Sequence, residues 1–253
     1  MALKSGKMNV ITKILSARQE KKPFLAVLVD PDKEDVYPSL FPYLTDVDMV
    51  LVGGSTGKGV EQCISLLRQH TSAPIILFPG NTSQFSPNAD ALLFLTLMNS
   101  RRPEILIEPH IQSALDVKQS HIEVISMGYI LVDGERRSAV EIVTNCQPLS
   151  RSDVHNVVRH AVASELLGKQ LVYLEAGSGA NTPISSELIA AVRQNLDVPL
   201  VVGGGIVSPN MMRQSFQAGA DVVVVGNHFE HHPEELPIFI CAKQNFIDEY
   251  TAY

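Results

Sequence analysis

The run LVYLEAGSGANTPISSELIAAVRQNLDVPLVVGGGIVSPNMMRQSFQAGADVVVVGN, residues 171–227, decides the fold. It holds three short apolar segments, LVYLEAG (171–177), PLVVGGG (199–205) and DVVVVGN (221–227), each closing on glycine or asparagine. They are near-continuous rather than alternating, the pattern of parallel strands buried on both faces. Between the second and third, Ser208 followed by Pro209 supplies an N-cap and a first-turn proline, and Gly219 a stop, which predicts a helix.

Outward from this repeat the same grammar continues. Upstream stand FLAVLVD (24–30), MVLVGG (49–54), PIILFP (74–79), ALLFLTL (91–97) and a weaker GYILVD (128–133). Helical patterns separate them; one is the stripe Val154, Val157, Val158 and Ala161 behind the cap candidate Ser152. Eight strands alternating with helices predict a (β/α)8 TIM barrel in one catalytic domain, residues 1–253. The competing doubly wound sheet would want a GxGxxG after its first strand, and none is there. At the N-terminus, Val10, Ile11, Ile14 and Leu15 mark an amphipathic helix rather than a signal peptide. Residues 134–152 are long for a connection and are expected to carry extra structure at the barrel mouth.

Composition agrees and narrows the class. The chain has 253 residues, 45% of them hydrophobic and 19% charged, with a net charge of -7. That length suits one α/β barrel, and that apolar content excludes disorder as the main state. The acidic balance argues against nucleic acid as a partner. No apolar run reaches the roughly 18 residues of a membrane span. Cys63, Cys146 and Cys241 lack CxxC spacing, which disfavours a disulfide framework or structural zinc and points to a reducing cytoplasm.

In such a barrel, chemistry gathers at the C-terminal ends of the strands. Glycines end strands 6, 7 and 8, where backbone N–H groups can approach a phosphate with no Cβ in the way; they also permit tight turns. Asp30, ending strand 1, and Ser55, after strand 2, offer hard oxygen donors suited to Mg2+. Asp30 ahead of Pro31 equally suits an Asx turn. Glu175 stands in an otherwise apolar strand, where an unpaired carboxylate is expensive to bury; a structural ion pair or a polyol-facing base would account for it. Tyr173 shares its side of the strand and reads as pocket lining or core. No lysine ends a strand, which disfavours a Schiff-base aldolase. His228, His231 and His232 read as a solvated helix start rather than a metal site.

These motifs resemble the geranylgeranylglyceryl phosphate synthases and related prenylglyceryl phosphate synthases. The matching stretches are LVDPDK (28–33), VGGSTG (52–57), FPGN (78–81), MGYILVDG (127–134), YLEAGSGA (173–180), VVGGGI (201–206) and VVVGNHFE (223–230). They run in order through nearly the whole chain. The resemblance implies a TIM barrel that joins the C3 hydroxyl of sn-glycerol 1-phosphate to a long allylic diphosphate, usually geranylgeranyl diphosphate, releasing pyrophosphate. It implies Mg2+ held by Asp30 and Ser55, and glycerol 1-phosphate held by Tyr173, Leu174, Glu175, Ala176, Gly177, Ser178, Gly179, Gly204, Gly205, Gly226 and Asn227. Glu175 would orient or deprotonate the hydroxyl. Leu28 departs from relatives that carry a lysine there, leaving the phosphate to backbone amides and helix ends. The apolar tail is expected in a groove on the side of strands 3–5. A homo-oligomer, dimer or hexamer, is implied, as is contact with a membrane surface without a spanning helix. Another phosphate-binding barrel, an isomerase or lyase, and a non-catalytic phosphate-ligand binder are the alternatives.

Overall fold

The computed structural model describes residues 8–54, 57–81 and 84–251. Eight parallel strands close on themselves in sequence order: β1 (Phe24–Val29), β2 (Met49–Val52), β3 (Ile75–Leu77), β4 (Ala91–Leu97), β5 (Glu123–Leu131), β6 (Leu171–Glu175), β7 (Leu200–Gly203) and β8 (Val222–Val225). β8 pairs back onto β1, Val223 opposite Leu25. This is the (β/α)8 barrel expected from the apolar runs.

Alternate residues of each strand feed two cores, which is why the strands read as unbroken apolar runs. Ala26, Met49, Leu51, Ile76, Met127 and Val224 fill the interior. Val27, Val50, Ile75, Val172, Val202 and Val223 pack outward against the helices. Helix α1 (Val10–Gln19) adds Val10 and Ile14 to the interior cluster. Its first amides need acceptors that the helix itself does not supply. Glu123 provides them, Oε2 accepting from Val10 N at 2.6 Å and Oε1 from Ile11 N at 2.9 Å.

The remaining helices are α2 (Val60–Leu67), α3 (Pro103–Leu106), α4 (Glu108–Ser120), α5 (Ala139–Thr144), α6 (Val154–Leu166), α7 (Ser186–Arg193), α8 (Pro209–Gln217), α9 (Asn227–His231) and α10 (Leu236–Thr251). Ser208 caps α8 by accepting from Met211 N, and Gly219 behind it takes φ +107°. The cap of α6 is Asp153, which accepts from Asn156 N, one residue beyond the expected Ser152. Helix α5 is the extra structure in the long connection after β5, started by a reciprocal capping box between Ser138 and Glu141.

The alternation of strand and helix is incomplete in two places. A 3-10 segment, Tyr37–Asp46, joins β1 to β2, its second proline, Pro42, blocking a regular ladder. Among the described residues, no α-helix lies between β3 and β4. Among the described residues no helix is long and apolar enough to cross a membrane.

Candidate active site

One cavity of about 760 Å3 opens at the C-terminal ends of the strands. Its polar end is built on β6. Tyr173 and Glu175 point inward together, 1% and 6% exposed. The Tyr173 ring stacks on Phe78 at 5.6 Å and meets Tyr129 edge-on at 5.3 Å. Its hydroxyl donates to the Glu175 carboxylate. A Cβ on Gly203 would stand 2.1 Å from that hydroxyl, so β7 can pass only as glycine here.

Glu175 has no ion-pair partner among the described residues; it is held by hydrogen bonds. Besides Tyr173, the amide of Gly177 donates to Oε1 over 2.6 Å. Burial pushes its carboxyl above the usual range, and the Tyr173 and Gly177 hydrogen bonds oppose that rise. Burial, with Glu175 nearby, likewise lifts both Tyr129 and Tyr173 well above ordinary phenols. Gly204 closes this corner in the left-handed region, φ +85°, where a Cβ would lie 2.5 Å from Glu175 Oε1 and 2.8 Å from Gly177 N.

Beside Glu175, loops after β6, β7 and β8 bring Ser178, Gly179, Gly204, Gly205, Gly226 and Asn227 to the cavity wall. Ser178 Oγ donates to Asn227 Oδ1 at 2.8 Å, linking the first loop to the third. The other residues in the expected set stand differently. Leu174 and Ala176 face the outer core, away from the cavity. Gly177 acts through its amide on Glu175.

Asp30, one residue past β1, also lines the cavity. Its Oδ1 accepts from Asp32 N at 3.0 Å, so it does form the Asx-type turn, while Oδ2 lies 4.0 Å from Lys33 Nζ. Burial raises its carboxyl, an effect the Asp32 amide and Lys33 oppose. Ser55 lies outside the described residues. Among the described residues no three His, Cys, Asp or Glu side chains gather as a metal cage. A single carboxylate at the mouth of a ligand cavity fits Mg2+, which commonly takes one or two carboxylates and completes its shell with water and substrate phosphate.

The cavity's other end is apolar. Leu92 and Phe94 of β4, with Phe85 and with Pro109, Ser113 and Val117 of α4, line a groove outside the barrel. Pro109, Ser113 and Val117 are four residues apart on α4, hence on one face.

Three lining groups escaped the sequence reading. His228 is no solvated start: its side chain is 10% exposed and Nε2 lies 2.8 Å from Glu235 Oε2. His231 and His232 are exposed, as expected. Lys33 and Glu230 form a 2.6 Å ion pair on the cavity wall.

The profile of the PcrB family matches residues 16–242. The chain belongs to the PcrB family. Among relatives of this PcrB-family chain, the geranylgeranylglyceryl phosphate synthase of Flavobacterium johnsoniae is 42% identical over 86% of this chain and 92% of its own length. That of Pyrococcus furiosus is 36% identical over 88% of this chain and 91% of its own. The crystal structure of the (S)-3-O-geranylgeranylglyceryl phosphate synthase of Thermoplasma acidophilum, in complex with sn-glycerol 1-phosphate, superposes with a TM-score of 0.86 at 30% identity, covering 94% of this chain and 100% of that one.

Proposed function

We propose that this PcrB-family protein is a prenyltransferase that joins the C3 hydroxyl of sn-glycerol 1-phosphate to a long-chain allylic diphosphate, geranylgeranyl diphosphate, releasing pyrophosphate. One observation carries the reading: a glycine-walled polar pocket and a long apolar groove are two ends of one cavity. A sugar-phosphate isomerase has no use for the groove.

The phosphate of glycerol 1-phosphate sits against the loops after β6, β7 and β8, where backbone amides and the Asn227 side-chain NH2 can donate. The glycerol hydroxyls then reach toward Glu175. A carboxyl raised by burial, a rise that Tyr173 and Gly177 oppose, suits a base that takes a proton from an alcohol. The allylic C1–O bond breaks and its electron pair leaves on pyrophosphate, while delocalisation over the allyl group supports the developing positive charge. The C3 oxygen closes the new C–O bond and its proton passes to Glu175. Asp30, with Ser55, would hold Mg2+, which supplies neutralising charge to the diphosphate when bound. The prenyl tail occupies the groove of Phe85, Leu92, Phe94 and α4.

The chain is further proposed to act in the cytoplasm, in keeping with its three unpaired cysteines, and to touch a membrane surface to collect its lipid substrate. It is proposed to form a homo-oligomer, dimer or hexamer; exposed Ile107, the residue before α4, and Ile111 and Leu115 on it offer the apolar surface subunit contacts bury.

Incubation with sn-glycerol 1-phosphate, radiolabelled geranylgeranyl diphosphate and Mg2+ is expected to move label into a phosphatase-sensitive ether lipid. No product, with or without metal, overturns the activity. Equal product from the 3-phosphate enantiomer overturns the pocket assignment.

A further inference from the structure

We infer that Lys33 is the residue that grips the diphosphate of the prenyl donor, and that Glu230 is the positioning residue that holds its ammonium in place. The inference rests on the prenyltransferase reading and adds a residue to it.

The charge on the cavity wall makes the case. Four carboxylates line it, Asp30, Glu104, Glu175 and Glu230, and Lys33 is the single Lys or Arg among the described lining residues. A diphosphate carries about three negative charges and would enter a strongly acidic mouth. One divalent ion offsets part of that repulsion, and a cation beside it is needed to hold the leaving group in register.

Lys33 stands where that cation belongs. Its Nζ is 4.0 Å from Asp30 Oδ2, on the same wall, so a ligand bridging to a metal at Asp30 lies within its reach. An ammonium has three N–H donors. One is committed to Glu230 Oε2 at 2.6 Å, a carboxylate whose side chain is only 9% exposed. The Lys33 side chain remains 40% exposed and lines the cavity, which leaves the others free for a ligand there. Glu230 comes from α9, directly behind the Gly226–Asn227 corner, so the pair also ties the Asp30 end of the mouth to the phosphate end. A lysine stem is floppy on its own. The buried Glu230 anchor removes that freedom before the substrate arrives, so less ordering is required on binding.

The test separates a ligand-binding ammonium from a merely structural ion pair. Binding of inorganic pyrophosphate in the presence of Mg2+ is measured by calorimetry, and steady-state constants are measured for each substrate. In Lys33→Met, pyrophosphate affinity is expected to fall at least about tenfold and the KM for the allylic diphosphate to rise similarly, since a charge-assisted hydrogen bond is lost. The KM for glycerol 1-phosphate stays within about twofold. Lys33→Arg restores part of the loss, and Glu230→Gln, which keeps an acceptor, loses less than Lys33→Met. The decisive variant is Lys33→Met/Glu230→Met, where Glu230 is not left as an unpaired carboxylate. A donor-site defect that persists there supports the ammonium as the ligand group. Recovery of wild-type pyrophosphate binding in that double variant overturns the inference, as does an equal rise in both KM values. An inactive wild-type enzyme that still binds pyrophosphate through Lys33 would instead count against the reaction.

Discussion

The amide of Gly177 donates to Glu175 Oε1 over 2.6 Å, and the same glycine turns the chain away from the strand with φ +100°. A carboxylate buried at the end of β6 is thus held by its own loop, two residues on, not by a cation. Such a group carries the desolvation cost of its charge, relieved only by hydrogen bonds, an arrangement that favours reactivity over stability.

Glu175→Gln is therefore expected to separate function from folding. Turnover falls about a hundredfold or more if the carboxylate takes the hydroxyl proton. The acidic limb of the wild-type pH profile, with activity rising as Glu175 loses its proton, lies above the ordinary carboxylate range and vanishes in the variant. The stability sign is opposite. A carboxyl raised by folding binds its proton more tightly folded than unfolded, so wild-type stability falls as pH climbs from the ordinary carboxylate pKa to the raised one. Above that window Glu175→Gln is expected to match or exceed wild-type Tm by a few degrees. Kinetic profiles and thermal melts from pH 4 to 9 check both signs; near-normal turnover would leave Glu175 a purely structural role.

The barrel was legible because its strands are buried on both faces and therefore read as apolar runs. β5 was legible only in its second half: Ser126 and Gly128 interrupt the run, and Gly128 is needed because a Cβ there would meet Ser164 of α6 at 2.5 Å. Helix α5 had a local signal, the Ser138–Glu141 capping box, whereas the groove is lined by residues of β4 and α4 that come together only in the folded chain. Within the candidate site, Glu175 and the glycines stood out as breaks in apolar strands. Lys33 did not, since its partner Glu230 is 197 residues away and only the closed barrel brings the two together. His228 was misread because its burial comes from packing between neighbouring helices, against Phe229 and Phe239, which no periodicity of the histidines announces.

Two glycines with nearly the same backbone give a controlled comparison. Gly168 has φ +80° and open space around its missing Cβ, so Gly168→Ala is expected to lower stability by about 1 kcal/mol, the left-handed penalty, with activity unchanged. Gly204 has φ +85°, and its Cβ would drive into Glu175 and the Gly177 amide. Gly204→Ala is expected to cost roughly 2–3 kcal/mol and to remove glycerol 1-phosphate binding. Calorimetry with glycerol 1-phosphate and a denaturant melt distinguish them; equal behaviour would dismiss the crowding at Gly204.

Asp30→Asn should weaken the metal dependence. Replacing the charged oxygen with an amide removes the strongest described donor for Mg2+ at the mouth, so the Mg2+ concentration for half-maximal rate is expected to rise on the order of tenfold. Chelation by EDTA is expected to abolish turnover in the wild type, and added Mg2+ to restore it. The Asx turn survives, because an asparagine Oδ1 can still accept from Asp32 N, and Tm stays near wild type. An unchanged Mg2+ titration would remove Asp30 from the metal.

The groove outside the barrel makes donor length a matter of steric reach. Ser113 stands between Pro109 and Val117 on the α4 face that lines it, and its hydroxyl only bonds back to Pro109 O at 2.8 Å. Ser113→Phe adds a ring to that wall at a position not tightly buried, so the fold should tolerate it while the groove shortens. The KM for geranylgeranyl diphosphate is expected to rise about tenfold or more, with that for geranyl diphosphate within about twofold, because each lost methylene contact removes about 0.8 kcal/mol. Glycerol 1-phosphate binding, at the far end of the cavity, is expected to be untouched. If the variant handles both donors as the wild type does, the tail runs elsewhere, and the apolar cluster of Leu95, Ile105 and Val140 at the barrel rim becomes its path.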